Sequence, residues 1–205
     1  MQLIRLAPPA SQAAADLRAG LITLGNGSEV VGGVGLLGLR LPGLNPTIDA
    51  VLVLPRGVLV AAGVDLPGPA IRLEAPIDGP WLVDGWRLVC PDGAVNPVGG
   101  AIAAASAVAA RLRAPGAPGL PVHAAIVVGP YVEKVVQPPA DLDRGVRVLP
   151  PSGRTLLALA MEFANGVRPC GAAAAAELLR VLAPELGTPP PAMLAAEGFP
   201  AANRP

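Results

Sequence analysis

Two almost wholly apolar runs face each other across a turn in the first third of the chain. Residues 49–54 (DAVLVL) and 57–61 (GVLVA) carry no polar side chain after Asp49, and Pro55-Arg56-Gly57 separates them. Short apolar runs bounded by a turn predict a hairpin of strands. The lack of apolar–polar alternation predicts cover on both faces. Residues 70–74 and 81–90 read as further strand, with an Asp84-Gly85 turn. Residues 122–128 form another buried strand, and 144–149 a short one. The glycine-rich stretch 27–43 reads as a strand with bends.

Helices punctuate these strands. Ser11 is an N-cap for a helix over 11–24 that Gly25 can end. Asn96-Pro97 opens a second, alanine-rich helix over 98–113. Ser152 caps a third, over 154–163, and a fourth spans 171–182. The order is helix, strand, hairpin, helix, strand, helices. That order implies an α/β fold with a mixed central sheet flanked by helices. Residues 1–183 form the domain. From Pro184 onward Pro, Gly and Ala dominate, so 184–205 is expected to be a loosely ordered tail.

Composition narrows the function classes. The chain has 205 residues, of which 52% are hydrophobic and 2% aromatic, so its core must be built from Ala, Val, Leu and Ile. Its net charge is zero, and Lys134 is the sole lysine among 15 basic residues. A phosphate-binding protein usually shows a basic excess or stripe, and net charge offers no support for a nucleic-acid partner. With so few aromatics a base-stacking platform is poorly supplied. Cys90 and Cys170 lack CxxC spacing, which fits reduced, packing thiols in a cytoplasmic protein. Residues 1–10 lack a basic stretch followed by an apolar run, which argues against a signal peptide. The small-apolar run 98–110 is too short for a membrane span.

The residues around the hairpin resemble the nuclease-related domain, NERD, of the restriction-endonuclease-like superfamily. That family's pattern is an Ile-Asp pair, an apolar strand, Pro-x-Gly, an apolar strand, then Glu-x-Lys. A tryptophan, an Asn-Pro helix start and a Gln follow. Here Ile48-Asp49, Pro55-Arg56-Gly57, Trp81 or Trp86, and Asn96-Pro97 match, in the family's order. The resemblance covers residues 11–182 and implies a restriction-endonuclease-like core. It departs at the chemistry: Ala62 stands for the Glu, Val64 for the Lys and Gly100 for the Gln.

A nuclease of this type holds Mg²⁺ on carboxylates, with a lysine beside the nucleophile. Residues two apart on a strand share a face, so Ala62 and Val64 should fill the place of the Glu and Lys with aliphatic groups. Asp49 alone is a weak metal ligand. Rescue would need Asp65 or Glu74 to join it, with Asp16 or Glu29 as the acidic residue of the first helix and Arg72 for the missing lysine. Alternation points Asp65 to the opposite face from Val64 unless the strand ends or bulges.

Other residues favour structural roles. His123, at the start of a strand and without a Cys or Asp pattern, reads as a packed histidine. Ser152-Gly153-Arg154 reads as a helix cap before a phosphate cradle. Gly25-Asn26-Gly27 and Gly32-Gly33-Val34-Gly35 lack the strand–GxGxxG–helix context of a dinucleotide site and read as bends.

The leading reading is a catalytically inactive nuclease-like domain, a pseudoenzyme, that acts by binding a protein partner or a second copy of itself and needs no cofactor. One alternative is a divalent-metal-dependent DNA nuclease with relocated ligands. Another is a nucleic-acid-binding domain without cleavage, which needs several of Arg40, Arg56, Arg72, Arg87, Arg111 and Arg113 on one face.

Overall fold

A computed structural model describes residues 1–24, 32–43, 47–90, 93–113 and 119–201. In chain order the elements are β1 (Gln2–Arg5), α1 (Gln12–Thr23), β2 (Val34–Leu39), β3 (Ile48–Leu54), β4 (Gly57–Asp65), β5 (Ala70–Glu74), β6 (Leu82–Val83), β7 (Trp86–Arg87), α2 (Val98–Leu112), β8 (Val122–Gly129), β9 (Val132–Val136), α3 (Pro139–Leu142), β10 (Val146–Leu149), α4 (Gly153–Phe163), α5 (Ala172–Leu182) and α6 (Pro191–Ala196).

The fold is α/β, with a mixed central sheet flanked by helices. Six strands run in the order β1-β2-β3-β4-β8-β10. The β2-β3 and β3-β4 pairs are antiparallel; β1-β2, β4-β8 and β8-β10 are parallel. The hairpin occupies the middle of this sheet, and every residue of β3 is buried. Helices cover both faces, as the apolar runs require. Leu17 and Leu21 of α1 and Leu156, Leu159 and Phe163 of α4 pack on Ala50, Leu52, Leu59 and Ala61. On the other face Val98 and Val108 of α2 and Leu178 and Leu182 of α5 pack on Val51, Val53, Val58 and Val60. From Ala50 to Leu54 and from Val58 to Ala61 the side chains alternate between these two cores, the period of two that a strand imposes.

A second, four-stranded sheet runs β7-β6-β5-β9. Its β6–β7 hairpin turns at Asp84 and Gly85, with φ of 49° and 85°. Two successive positive-φ residues make the turn that Asp-Gly favours. The Asp84 carboxylate also accepts from the Arg72 N–H at 2.7 Å, which ties the turn to β5.

Helix starts agree closely with their capping residues. The Ser11 Oγ accepts from the Ala14 N–H at 3.1 Å, and the Ser152 Oγ from the Thr155 N–H at 3.2 Å. The second helix begins one residue past Pro97. Asn96 still serves its first turn, because Oδ1 accepts from the Val98 N–H at 2.9 Å. Its Nδ2 donates to the carbonyls of Pro76, Ile77 and Gly79, so one side chain joins the helix start to the preceding loop.

The expectation of a loose tail from 184 is corrected as far as Ala201. Pro184–Leu186 forms a 3-10 turn and α6 follows. Leu194 and Phe199 are buried in the core of the α2–α5 face. The Ala172 N–H donates to the Pro200 carbonyl at 2.7 Å. Two large apolar residues, sparsely placed among Pro and Ala, are enough to dock the segment.

At the far margin of the large sheet Gln137 lies along β10. Its Oε1 accepts from the Val148 N–H at 2.8 Å and its Nε2 donates to the Val146 carbonyl at 3.5 Å. A side-chain amide thus does what a neighbouring strand would do.

Candidate functional site

Asp49 stands near the start of β3, 8% exposed. Its Oδ2 accepts from the Gly63 N–H at 2.8 Å. Burial raises its pKa above the ordinary carboxylate value; the Gly63 hydrogen bond and the Arg18 charge oppose the rise, and the nearby Asp65 charge adds to it. Arg18, on α1, is 9% exposed. Burial lowers its pKa, Asp49 counters this, and Arg5 reinforces it. Arg18 and Asp49 are the two buried charged side chains among the described residues. The Nε and Nη2 of Arg18 are buried without a hydrogen-bond partner.

β4 continues in register with β8 through Ala62↔Ile126 and Val64↔Val128 to Asp65↔Gly129, without a bulge. Ala62 and Val64 therefore share the face of Val58 and Val60, and Val64 packs against the α2–α5 core. Asp65 points the other way, to α1. Its Oδ1 accepts from the Ala13 N–H at 2.7 Å and its Oδ2 from the Gln12 N–H at 3.2 Å. Those donors belong to the first turn of α1, where the helix dipole also favours an anion. Gly63 lets the helix come this close: a Cβ there would lie 2.5 Å from the Ala14 nitrogen.

The other expected ligands lie apart or are otherwise engaged. Glu74 is in the second sheet, where its Oε1 accepts from the Arg72 Nε at 2.9 Å. Both members of that pair are exposed and available neither as ligand nor as substitute lysine beside Asp49. Asp16 accepts from the Gln12 side chain at 2.8 Å. Glu29 and the Gly25-Asn26-Gly27 stretch lie outside the described residues. Among the described residues no group of three or more His, Cys, Asp or Glu gathers as a metal site would require. The surroundings of Asp49 do not fit a divalent cation: its carboxylate already holds the Gly63 amide, the nearby Asp65 is taken up by the start of α1, and the positive charge of Arg18 acts on it.

The remaining candidates resolve into structural roles. The His123 ring stacks on Phe163 with centroids 4.1 Å apart, and the Arg147 guanidinium lies over the Phe163 ring at 5.3 Å. Burial lowers the His123 pKa, with Arg147 adding to the effect. Cys90 and Cys170 are buried and form no disulfide, and burial pushes the Cys170 thiol up to about 11. Gly32-Gly33-Val34-Gly35 leads into a strand, not a helix. Ser152 spends its hydroxyl on the cap of α4. A groove of ≈ 610 Å³ lies beside it, lined by Thr23, Leu24, Arg154, Leu157 and Met161, without Asp49 in its wall.

The arginines do not gather along the hairpin. Arg40 follows β2 at the Ile48 end of β3, whereas Arg56 sits at the Leu54 end and donates to the Gly166 and Val167 carbonyls. Of the two tryptophans, Trp81 is fully buried and donates its Nε1 to the Pro76 carbonyl, while Trp86 is 80% exposed. Ile71 and Val89 of the same region are also exposed. Among the described residues no helix is long and apolar enough to cross a membrane.

Arg18 is the residue that reading the sequence for acids and lysines overlooked. Its signal was available: it lies four residues after Ala14 and three before Leu21, inside the apolar stripe of α1.

Comparison with protein-family models, with curated proteins and with solved structures finds no match.

Proposed function

We propose that this chain is a catalytically silent domain with a restriction-endonuclease-like core of the NERD type, acting by binding a protein partner or a second copy. One observation carries the reading: the described carboxylates proposed for the site are each engaged by another group of the protein. Asp49 holds the Gly63 amide, Asp65 holds the start of α1, and Glu74 pairs with Arg72 in another sheet. Ala62 and Val64, on the face a Glu-x-Lys motif would supply, offer no donor or ligand. The exposed Ile71, Trp86 and Val89 support the binding half of the reading, since large apolar side chains in one region mark surfaces that gain from being covered.

The test is incubation of the purified protein with linear and supercoiled DNA in Mg²⁺ or Mn²⁺. No cleavage is expected, and Asp49→Ala should behave as the wild type. Metal-dependent cleavage that disappears in Asp49→Ala would overturn the reading.

A further inference from the structure

We propose that Arg18 is the resident counter-ion of Asp49: the guanidinium takes the electrostatic place that a divalent cation holds beside the first acidic ligand of a metal nuclease, and so closes the site to metal. The inference deepens the silent-site reading and rests on it.

Three observations meet here. Arg18 and Asp49 are the buried charged side chains of the described protein, of opposite sign, each more than nine-tenths buried. They meet near Gly63: the Asp49 carboxylate accepts from its N–H at 2.8 Å, and Ala14, one turn before Arg18 on α1, lies against it. Each feels the charge of the other, although no ion pair or hydrogen bond joins them in this structure. The unpartnered atoms of Arg18 are Nε and Nη2, which together form the edge that receives a carboxylate side-on. A buried charge is retained when something of opposite sign answers it. For Asp49, Asp65 is of like sign and its oxygens are taken by α1; the answering charge is Arg18. A cation arriving at Asp49 would have to enter against the charge of this guanidinium.

The experiment is a double-mutant cycle by urea unfolding of the full chain, using Arg18→Met, Arg18→Gln, Asp49→Asn and the combined variants. Asp49→Asn should be more favourable in either Arg18 background than in the wild type, by about tenfold in the unfolding constant. A double variant that folds where its Arg18 single variant does not carries the same meaning. Arg18→Lys should retain part of the coupling, which a purely space-filling role would not predict. Equal effects of Asp49→Asn in all backgrounds would overturn the pairing. Millimolar Mn²⁺ should leave the wild-type melting temperature unchanged; an upward shift that Asp49→Asn abolishes would overturn the exclusion of metal. Cleavage of DNA by the wild type would instead overturn the silent-site reading, so the two failures are distinguishable.

Discussion

The Asp65 carboxylate lies 2.7 Å from the Ala13 backbone nitrogen, so the last residue of β4 anchors the first turn of α1. Fifty-two residues separate the pair in sequence. This contact converts an acid that could have served a metal into a helix cap. Asp65→Ala should lower stability by about 1 kcal/mol, the usual loss for a capping acceptor. Asp65→Asn should cost less, because the amide oxygen still accepts one N–H. Urea midpoints of the three proteins check the order.

Gly63 makes a harder prediction. The Cβ of Gly63→Ala would meet the backbone of Ala13 and Ala14 at 2.9 and 2.5 Å, and a helix backbone cannot rotate away as a side chain can. A loss of about 1–3 kcal/mol is expected, as for other overpacked interiors. An alanine tolerated without loss in chemical unfolding would mean that α1 does not sit on β4 as described.

The burial of His123 against Phe163 sets a dependence on acid. The folded-state pKa of His123 is lowered from 6.5, so below that pH the unfolded chain takes up the proton more readily. Its contribution is full above pH 6.5 and declines as pH falls through the lowered folded value. His123→Phe should flatten that part of the stability–pH curve. An unchanged curve between wild type and variant would contradict the assignment.

Cys170 gives the opposite limb. Its thiol is raised from 9.0 to about 11, so between those values the unfolded chain loses the proton first and stability falls as pH rises. At pH 8 the native protein should react slowly with iodoacetamide at Cys170, because the thiolate is scarce and the sulfur is enclosed. Peptide mapping of the alkylated protein reads this directly.

Trp86 offers a probe of partner binding. With Trp81 enclosed, acrylamide should quench mainly Trp86, and Trp86→Phe should remove most of the quenchable emission. A partner that covers the β6–β7 hairpin should protect Trp86 in the same measurement.

Much of the fold was legible because its signals are local. Ser11 and Ser152 announce helix starts, Asp84-Gly85 announces its turn, and unbroken apolar runs announce strands covered on both faces. β1 and β9 were missed. The first is four residues with polar ends, and the second carries Glu133-Lys134 in its middle, so neither shows an apolar run. The tail was misjudged because Leu194 and Phe199 are isolated in sequence and become a docking pair only when α5 lies beneath them. At the candidate site, strand alternation correctly placed Asp65 opposite Val64. What alternation could not reveal was the use to which Asp65 is put, or that Arg18 would be drawn into the interior. Both depend on how α1 lies across the sheet, a relation between segments distant in the chain.

The amide of Gln137 against β10 has a further consequence for assembly. It takes up one N–H and one carbonyl of the outermost strand, two of the groups that an incoming strand would use. A strand adding at that margin would first have to displace the amide, so Gln137 guards this edge of the sheet against pairing with another chain.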